Sequence, residues 1–318
     1  MTGMYNYENY TKVKEKIEKR RSDARARADE RSALLRSRSP EIAKIDEELS
    51  GTGLLLFKTA CAGGDVLAIR MRNQELCKRR RLAIAALGYP EDYTDVQYTC
   101  KECSDTGFIE NGKMCSCFRE ELIRETIASS GIGKLIEKQS FDNFSLAQFE
   151  PGSENYEKMK HVLDTAKEYV ENFAKCRGNL LLIGKTGTGK THISTAIARG
   201  VISQGFDVIY DSVQNIISDF EADKFRASYS AEAEKGRKYL ECDLLIIDDL
   251  GTEFSSQFSI SCLYNLLNTR QNRGKATVIS TNLGPKELLS FYDDRIYSRI
   301  TGSQCEVLAF LGKDNRLK

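Results

Sequence analysis

The stretch Gly184-Lys185-Thr186-Gly187-Thr188-Gly189-Lys190-Thr191 fits the pattern G-x-x-x-x-G-K-[ST] at every defined position. Glycines at that spacing let successive backbone N–H groups curl inward around phosphate oxygens. A helix starting where the loop ends adds the positive end of its dipole. In such a loop the lysine reaches the β- and γ-phosphates and the hydroxyl after it ligates Mg²⁺, so these roles are expected of Lys190 and Thr191. A second stretch, Leu244-Leu245-Ile246-Ile247-Asp248-Asp249, is an apolar run ending in two acids. A buried strand of this kind delivers its acids to the carboxyl edge of a sheet, where open α/β sheets bind ligands. Asp248 is expected to hold Mg²⁺ through water, and Asp249 to orient or deprotonate an attacking water; Glu253 is a second candidate for that base. Ser280-Thr281-Asn282 ends another apolar run. Its amide can hydrogen-bond a γ-phosphate or the lytic water, although a turn asparagine would look the same. In Asp294-Arg295-Ile296-Tyr297-Ser298-Arg299-Ile300 the two arginines share a helix face. Each reads either as an internal ion-pair partner or as a cation supplied to phosphoryl transfer in a neighbour's site. The expected ligand is ATP or ADP with Mg²⁺; GTP is disfavoured because the sequence has no N-K-x-D segment.

The chain has ten cysteines. In the reducing cytosol, the compartment expected here, they do not read as disulfides. Cys61, Cys77, Cys176, Cys242, Cys262 and Cys305 are scattered and read as buried apolar thiols. Cys100-x₂-Cys103 and Cys115-x-Cys117 are instead two close pairs across a short loop, which can place four thiolates around Zn²⁺. Asp105-Thr106-Gly107 and Asn111-Gly112 supply the tight turns of a small zinc-stapled hairpin. Redox chemistry would need only one pair.

The elements that must position these residues fall into two styles. The first ~95 residues carry helical periodicity and almost no strand signal. A long polar helix over 10–38 stops at Pro40. A second starts near Glu41 and is interrupted at Gly51 and Gly53. A third, over 66–87, offers Leu67, Ile69, Leu76, Leu82 and Ile84 to a buried face and ends at Gly88-Tyr89-Pro90. Arginines outweigh acids between Lys12 and Arg38; this reads as a solvated helix laced with ion pairs, or as a docking surface for an acidic partner or nucleic acid. A connecting helix over 120–137 breaks around Gly131 and Gly133. Beyond Phe141, strands expected at 180–183, 207–210, 243–247, 276–280 and 306–310 alternate with helices, one of them over 192–202. That alternation argues for a three-layer fold around a parallel sheet. The expected organisation is a helical region over 1–95, a zinc module over 96–120, a linker helix over 121–140 and an α/β ATPase domain over 141–318. The net charge of +1 favours no partner class. No apolar run reaches the ~18 residues of a spanning helix, and the N-terminus has no apolar signal-peptide core. No membrane association is expected.

GKTGTGKT, LLIIDDLGTE, STN and DRIYSRI, with Ser140-Phe141-Asp142-Asn143-Phe144 ahead of them, resemble the bacterial replicative helicase loaders of the DnaC and DnaI type. Their AAA+ core is shared with the transposition helper ATPases of the IstB type. The resemblance covers about 141–311. It implies a five-stranded P-loop sheet without a C-terminal helical lid, an Asn282 sensor, and an Arg299 finger acting in trans with Arg295 beside it. It further implies a helicase loader that grips a replicative helicase through its helical and zinc N-terminal region, self-associates through its ATPase domain and delivers the helicase to single-stranded DNA. A transposition helper that binds duplex DNA and a transposase is the alternative. So is a partner-binding switch with negligible turnover. In the related loaders the segment 216–240 faces single-stranded DNA. Here it carries Lys224, Phe225, Arg226, Tyr229, Lys235, Arg237 and Lys238, with Lys224, Arg226 and Lys238 as expected phosphate contacts. Interspersed Glu221, Asp223, Glu232 and Glu234 leave an ordinary solvated helix pair as the alternative.

Overall fold

Continuous apolar runs such as 180–183 have no polar face to show to water, so they form strands covered on both sides. The structure, a computed structural model, describes residues 6–225, 235–302 and 305–312, apart from the side chains at 111 and 225. The strands are β1 (Asn179–Ile183), β2 (Val208–Ser212), β3 (Leu244–Leu250), β4 (Ala276–Thr281) and β5 (Cys305–Ala309). They form one parallel sheet in the order β2-β3-β4-β1-β5.

Successive strand residues face opposite layers. Leu180, Leu182, Val208, Tyr210, Ile246 and Val278 join one apolar cluster, packed by α6 (Glu154–Asn172) and α7 (Lys190–Ser203). Leu181, Ile209, Leu245, Ile247 and Ile279 join the other. That second layer is built from α8 (Val213–Phe225), α9 (Arg237–Glu241), α10 (Gln257–Asn272), α11 (Pro285–Phe291) and α12 (Asp294–Thr301). The architecture is therefore the expected three-layer α/β one. Arg270 lies fully buried in this layer. Its guanidinium donates to the carbonyls of Tyr239, Cys242 and Ala276 and to Thr277 Oγ1.

The chain divides into two compact units, one of Lys14–Phe118 and one of the described residues in 1–13 and 119–318. The remaining helices are α1 (Tyr7–Arg38), α2 (Pro40–Cys61), α3 (Leu67–Ala86), α4 (Ser116–Ser129) and α5 (Leu135–Lys138). Among the described residues no helix is long and apolar enough to cross a membrane.

Four details differ from expectation, the first three of them in the helical region. Helix α2 runs uninterrupted through Gly51 and Gly53. It packs along α3, where Asn73 Nδ2 donates to Thr52 Oγ1 at 3.1 Å beside the two glycines, and this packing outweighs the ~1 kcal/mol that each glycine costs a helix. On α3 only Leu76 and Ile84 of the expected face are fully buried, while Leu67 and Leu82 are exposed; Leu67 is nine residues from Leu76 and therefore half a turn round the helix. Several arginines of α1, exposed ones included, have partners on other segments of the chain instead of only i,i+4 partners on the helix. Arg20 reaches Asp105, Arg31 the carbonyl of Asp95, Arg36 Asp46 and Arg38 the hydroxyl of Tyr89. Of the scattered cysteines only Cys242 is buried; Cys262 and Cys305 are half-buried, and Cys61, Cys77 and Cys176 are exposed.

Candidate functional site

The phosphate loop lies between β1 and α7 and opens on a cavity of about 460 Å³, within the ~300–1,000 Å³ common for small-ligand sites. Thr186, Gly187, Gly189, Lys190 and Thr191 line it. Gly187 and Gly189 take φ of 76° and 101°, the left-handed backbone that turns N–H groups inward at no steric cost. Gly184, Lys185 and Thr188 shape the loop instead of lining it. A Cβ on Gly184 would lie 2.7 Å from Phe310, and Thr188 Oγ1 donates to the Lys185 carbonyl. The Lys190 ammonium is held by the carbonyls of Gly184 and Lys185 and by Asn282 Oδ1, at 2.7, 3.0 and 2.8 Å. The Asn282 amide thus meets the P-loop lysine directly.

The two acids sit in a register shift between β3 and β4, between Ile247 and Leu250, the kind of bulge that re-aims side chains beside functional sites. Asp249 lines the cavity. It adopts φ 56° without being glycine, and its N–H donates to Ser280 Oγ at 3.0 Å. Such a conformation persists only where the surroundings enforce it. Asp248 is held from both sides: Ser280 Oγ donates to Oδ1, and the Tyr210 hydroxyl donates to Oδ2 at 2.7 Å. Glu253 is drawn elsewhere. It is buried, accepts the Gly251 N–H at 2.8 Å and takes the Tyr292 hydroxyl. Burial and that carboxylate push the Tyr292 phenol above its ordinary range. The structure brings Asp249 and Asn282 to the cavity with Lys190 and leaves Glu253 tied to Tyr292.

The far wall, Gln139, Asn143, Phe144, Gln148 and His192, was not singled out as a site from the sequence. Asn143 caps its own turn, accepting from the Ser140 N–H and donating to the Lys138 carbonyl. This fixes Phe144, whose ring lies against Gly189 and edge-on to His192, 5.3 Å between centroids. The S-x-x-N spacing of that turn was the available signal. The oxygen donors of Thr191, Asp248 and Asp249 fit a hard cation such as Mg²⁺.

Arg295 and Arg299 lie on α12, away from this cavity's lining. Arg299 donates twice to Asn268 Oδ1, at 3.1 and 2.7 Å, and once to Tyr264 Oη, with its guanidinium 4.4 Å from the Tyr264 ring centre. Arg295 is exposed, and among the described residues its guanidinium makes no ion pair or hydrogen bond. In the 216–240 segment, Lys235 and Lys238 both approach Asp219, at 3.9 and 3.0 Å, Arg237 pairs with Glu241, and Lys224 stands over the Phe258 ring. Arg226, Tyr229, Glu232 and Glu234 lie outside the described residues.

In the Lys14–Phe118 unit, Cys100, Cys103, Cys115 and Cys117 place their sulfurs within 4.8 Å of one another. The Cys100–Cys115 and Cys103–Cys117 separations are 3.8 and 3.5 Å. Four sulfurs ~2.3 Å from a central zinc in a tetrahedron would lie about 3.8 Å apart, so the cluster fits that ion. The Phe108–Met114 bridge closes the hairpin, and a Cβ on Gly107 would lie 2.5 Å from the Phe118 ring. Asp105, completely buried, accepts the N–H groups of Thr99 and Cys100 and the Arg20 guanidinium at 2.7 Å. Burial opposes its ionisation, but these donors together hold its carboxyl below the usual range. Arg20 also lies 4.0 Å from Cys117 Sγ, a cation suited to a four-thiolate centre.

Residues 132–318 match the family model described as IstB-like ATP binding protein. The chain is 27% identical over 178 residues to the replicative helicase loader DnaC of Escherichia coli K12, an overlap of 56% of this chain and 69% of that one. It is 26% identical over 199 residues to DnaC of Buchnera aphidicola subsp. Acyrthosiphon pisum, covering 60% and 76% respectively. A crystal structure of the DnaC helicase loader superposes with a TM-score of 0.48 at 21% identity, over 56% of this chain and 100% of that one.

Proposed function

The chain belongs to the IstB-like ATP-binding family, and on that premise we propose that it is an ATP-hydrolysing loader that places a replicative helicase on single-stranded DNA. The convergence of Lys190, Asn282 and Asp249 on one cavity carries the ATPase part of this reading. The relatives named as replicative helicase loaders support the loading part. Lys190 holds the β- and γ-phosphates, Thr191 and Asp248 hold Mg²⁺, and Asp249 orients the attacking water while Asn282 senses the γ-phosphate. Bound there, Mg²⁺ would neutralise charge on the phosphates. The wall at Phe144, Gln148 and His192 receives the nucleoside. Arg299, with Arg295 beside it, serves a neighbouring copy.

The helical region over 1–95 and the zinc module over 96–120 form the partner-binding part, joined by the 121–140 linker to the ATPase domain over 141–318. Helices α2 and α3 expose Leu54, Leu55, Phe57, Leu67 and Met71. We take these exposed apolar side chains as the candidate partner surface. Cys100, Cys103, Cys115 and Cys117 would hold Zn²⁺ as a structural staple. Single-stranded DNA would meet Lys224, Arg226 and Lys238, and it would have to compete with Asp219 for Lys238 and with the Phe258 ring for Lys224.

The test is reconstitution. The purified chain is mixed with the replicative helicase of its own cell, ATP and protein-coated single-stranded circles, and helicase transferred to the circles is counted. Transfer should require ATP and fail with Lys190→Ala. ATP-independent transfer, or none, overturns the loading role; stable capture of duplex DNA together with a transposase would favour the transposition helper.

A further inference from the structure

Tyr210 belongs to no motif, yet its hydroxyl meets one of the two acids at the end of β3. It pairs in register with Ile246, so its side chain shares a sheet face with Ile246 and with Asp248 two residues on. Its ring is 7% exposed, inside the apolar cluster beneath α7. A buried phenol needs a partner for its O–H, and this one donates to Asp248 Oδ2 at 2.7 Å with Ser194 Oγ of α7 3.4 Å away. With Ser280 on Oδ1, the carboxylate is gripped at both oxygens and its terminal torsion is fixed.

The backbone of Tyr210 is fixed from outside the sheet. Strand β2 is an edge strand, and the Tyr210 N–H is taken by the Ser130 carbonyl at 2.7 Å. Gly131 follows at φ 83°, and a Cβ there would lie 2.4 Å from the Tyr210 carbonyl oxygen. The turn after α4 therefore abuts both backbone polar groups of this one residue. The same corner receives Asn9 Nδ2 on Ser129 Oγ at 2.8 Å and Asn6 Nδ2 on Asp207 at 3.2 Å.

We propose that Tyr210 is a positioning residue that orients Asp248 for the Mg²⁺·nucleotide complex, and that the Ser130–Gly131 turn sets its place. This rests on the assignment of Asp248 to Mg²⁺ in the proposed function. A tyrosine that merely filled the core would leave Mg²⁺ binding alone when its oxygen is removed. Loss of a side chain that hydrogen-bonds a metal ligand commonly changes metal affinity by ~10–100-fold.

The experiment uses full-length Tyr210→Phe, Gly131→Ala and Asp248→Asn chains and a fluorescent, slowly hydrolysed ATP analogue. Affinity is titrated in EDTA, and the Mg²⁺ midpoint is then measured at fixed analogue. For Tyr210→Phe the EDTA affinity should stay within about twofold of wild type while the Mg²⁺ midpoint rises about tenfold. In the Asp248→Asn background the same substitution should add less than about twofold, since the Mg²⁺-binding carboxylate that Tyr210 orients is already gone. Gly131→Ala, with the hydroxyl intact, should move the midpoint in the same direction. An unchanged midpoint in Tyr210→Phe, or an equal loss in the Asp248→Asn background, overturns the positioning role. An unchanged midpoint in Gly131→Ala overturns the role of the turn. If Asp248→Asn itself leaves the midpoint unmoved, the Mg²⁺ assignment fails and the proposal falls with it.

Discussion

Asp249 and Glu253 are four residues apart and chemically alike, but their surroundings separate their roles. Asp249 is held in left-handed backbone at the cavity, whereas Glu253 is buried between Tyr292 and the Gly251 N–H. Asp249→Asn should therefore keep ATP affinity within a few-fold and lower hydrolysis by about 10²-fold or more, the scale of a lost general base. Binding and single-turnover assays check this. Glu253→Gln should retain most of the hydrolysis rate but cost about 1–3 kcal/mol of stability in denaturant unfolding. Its amide would either face the Gly251 N–H donor to donor or exchange the Tyr292 bond to a carboxylate for a weaker neutral one. A dead Glu253→Gln enzyme with native stability would return the base to Glu253. At this scale the phosphate loop was legible in the sequence because its chemistry is contiguous: glycines, lysine and threonine follow one another. Tyr210 and Ser280 were not, because what they do for Asp248 depends on which strands lie side by side, and no local spacing records that.

Helix α2 shows where reading elements from residue types fails. Gly51 and Gly53 look like breakers, yet both lie in helical backbone, and a methyl group added at either would meet nothing within 4 Å. Contact with α3 holds the helix against its own propensity. Gly51→Ala and Gly53→Ala should each raise stability by about 0.5–1 kcal/mol, measured by denaturant midpoint of the full chain. Destabilisation by either would mean that the helix needs a bend there. The arginine-rich stretch of α1 misleads in a similar way. Charge pattern alone cannot show that Arg20, Arg31 and Arg38 reach Asp105, a carbonyl and a phenol rather than water. The cysteine pairs, by contrast, announce their element, since metal-ligand spacing is a local property. One zinc per chain is expected by elemental analysis, lost on substituting Cys100 and Cys103 together. Because metal binding is folding energy in such modules, that change should open the Lys14–Phe118 unit to proteolysis and leave ATP binding intact. Purification without chelator that yields no metal would end the zinc assignment.

At the scale of the whole molecule, the sheet order β2-β3-β4-β1-β5 brings the phosphate loop, Asp248, Asp249 and Asn282 to one carboxyl edge although they are spread over 184–282. Alternating apolar strands and helices made the layers legible, while the strand order follows from packing among elements far apart in the chain. Among the described residues no arginine lines that cavity, and α12 carries Arg295 and Arg299 off the lining. A finger supplied by a neighbouring copy, as proposed above, would account for this division. The neutral amide of Asn268, rather than a carboxylate, holds Arg299 here, and hydrogen bonds to a neutral acceptor are weaker than those to a charged one. A γ-phosphate presented by another copy could therefore outcompete Asn268. Arg299→Ala should leave nucleotide affinity within about twofold and lower hydrolysis by about 10³-fold, the low end of finger effects. Mixed with Asp249→Asn, it should regain part of the native rate, because an intact finger from the Asp249→Asn chain can then meet an intact site on the Arg299→Ala chain. The regained rate should peak near equal mixing. If no ratio restores activity, Arg299 is an internal tie between α10 and α12, and its loss should appear as lowered thermal stability instead.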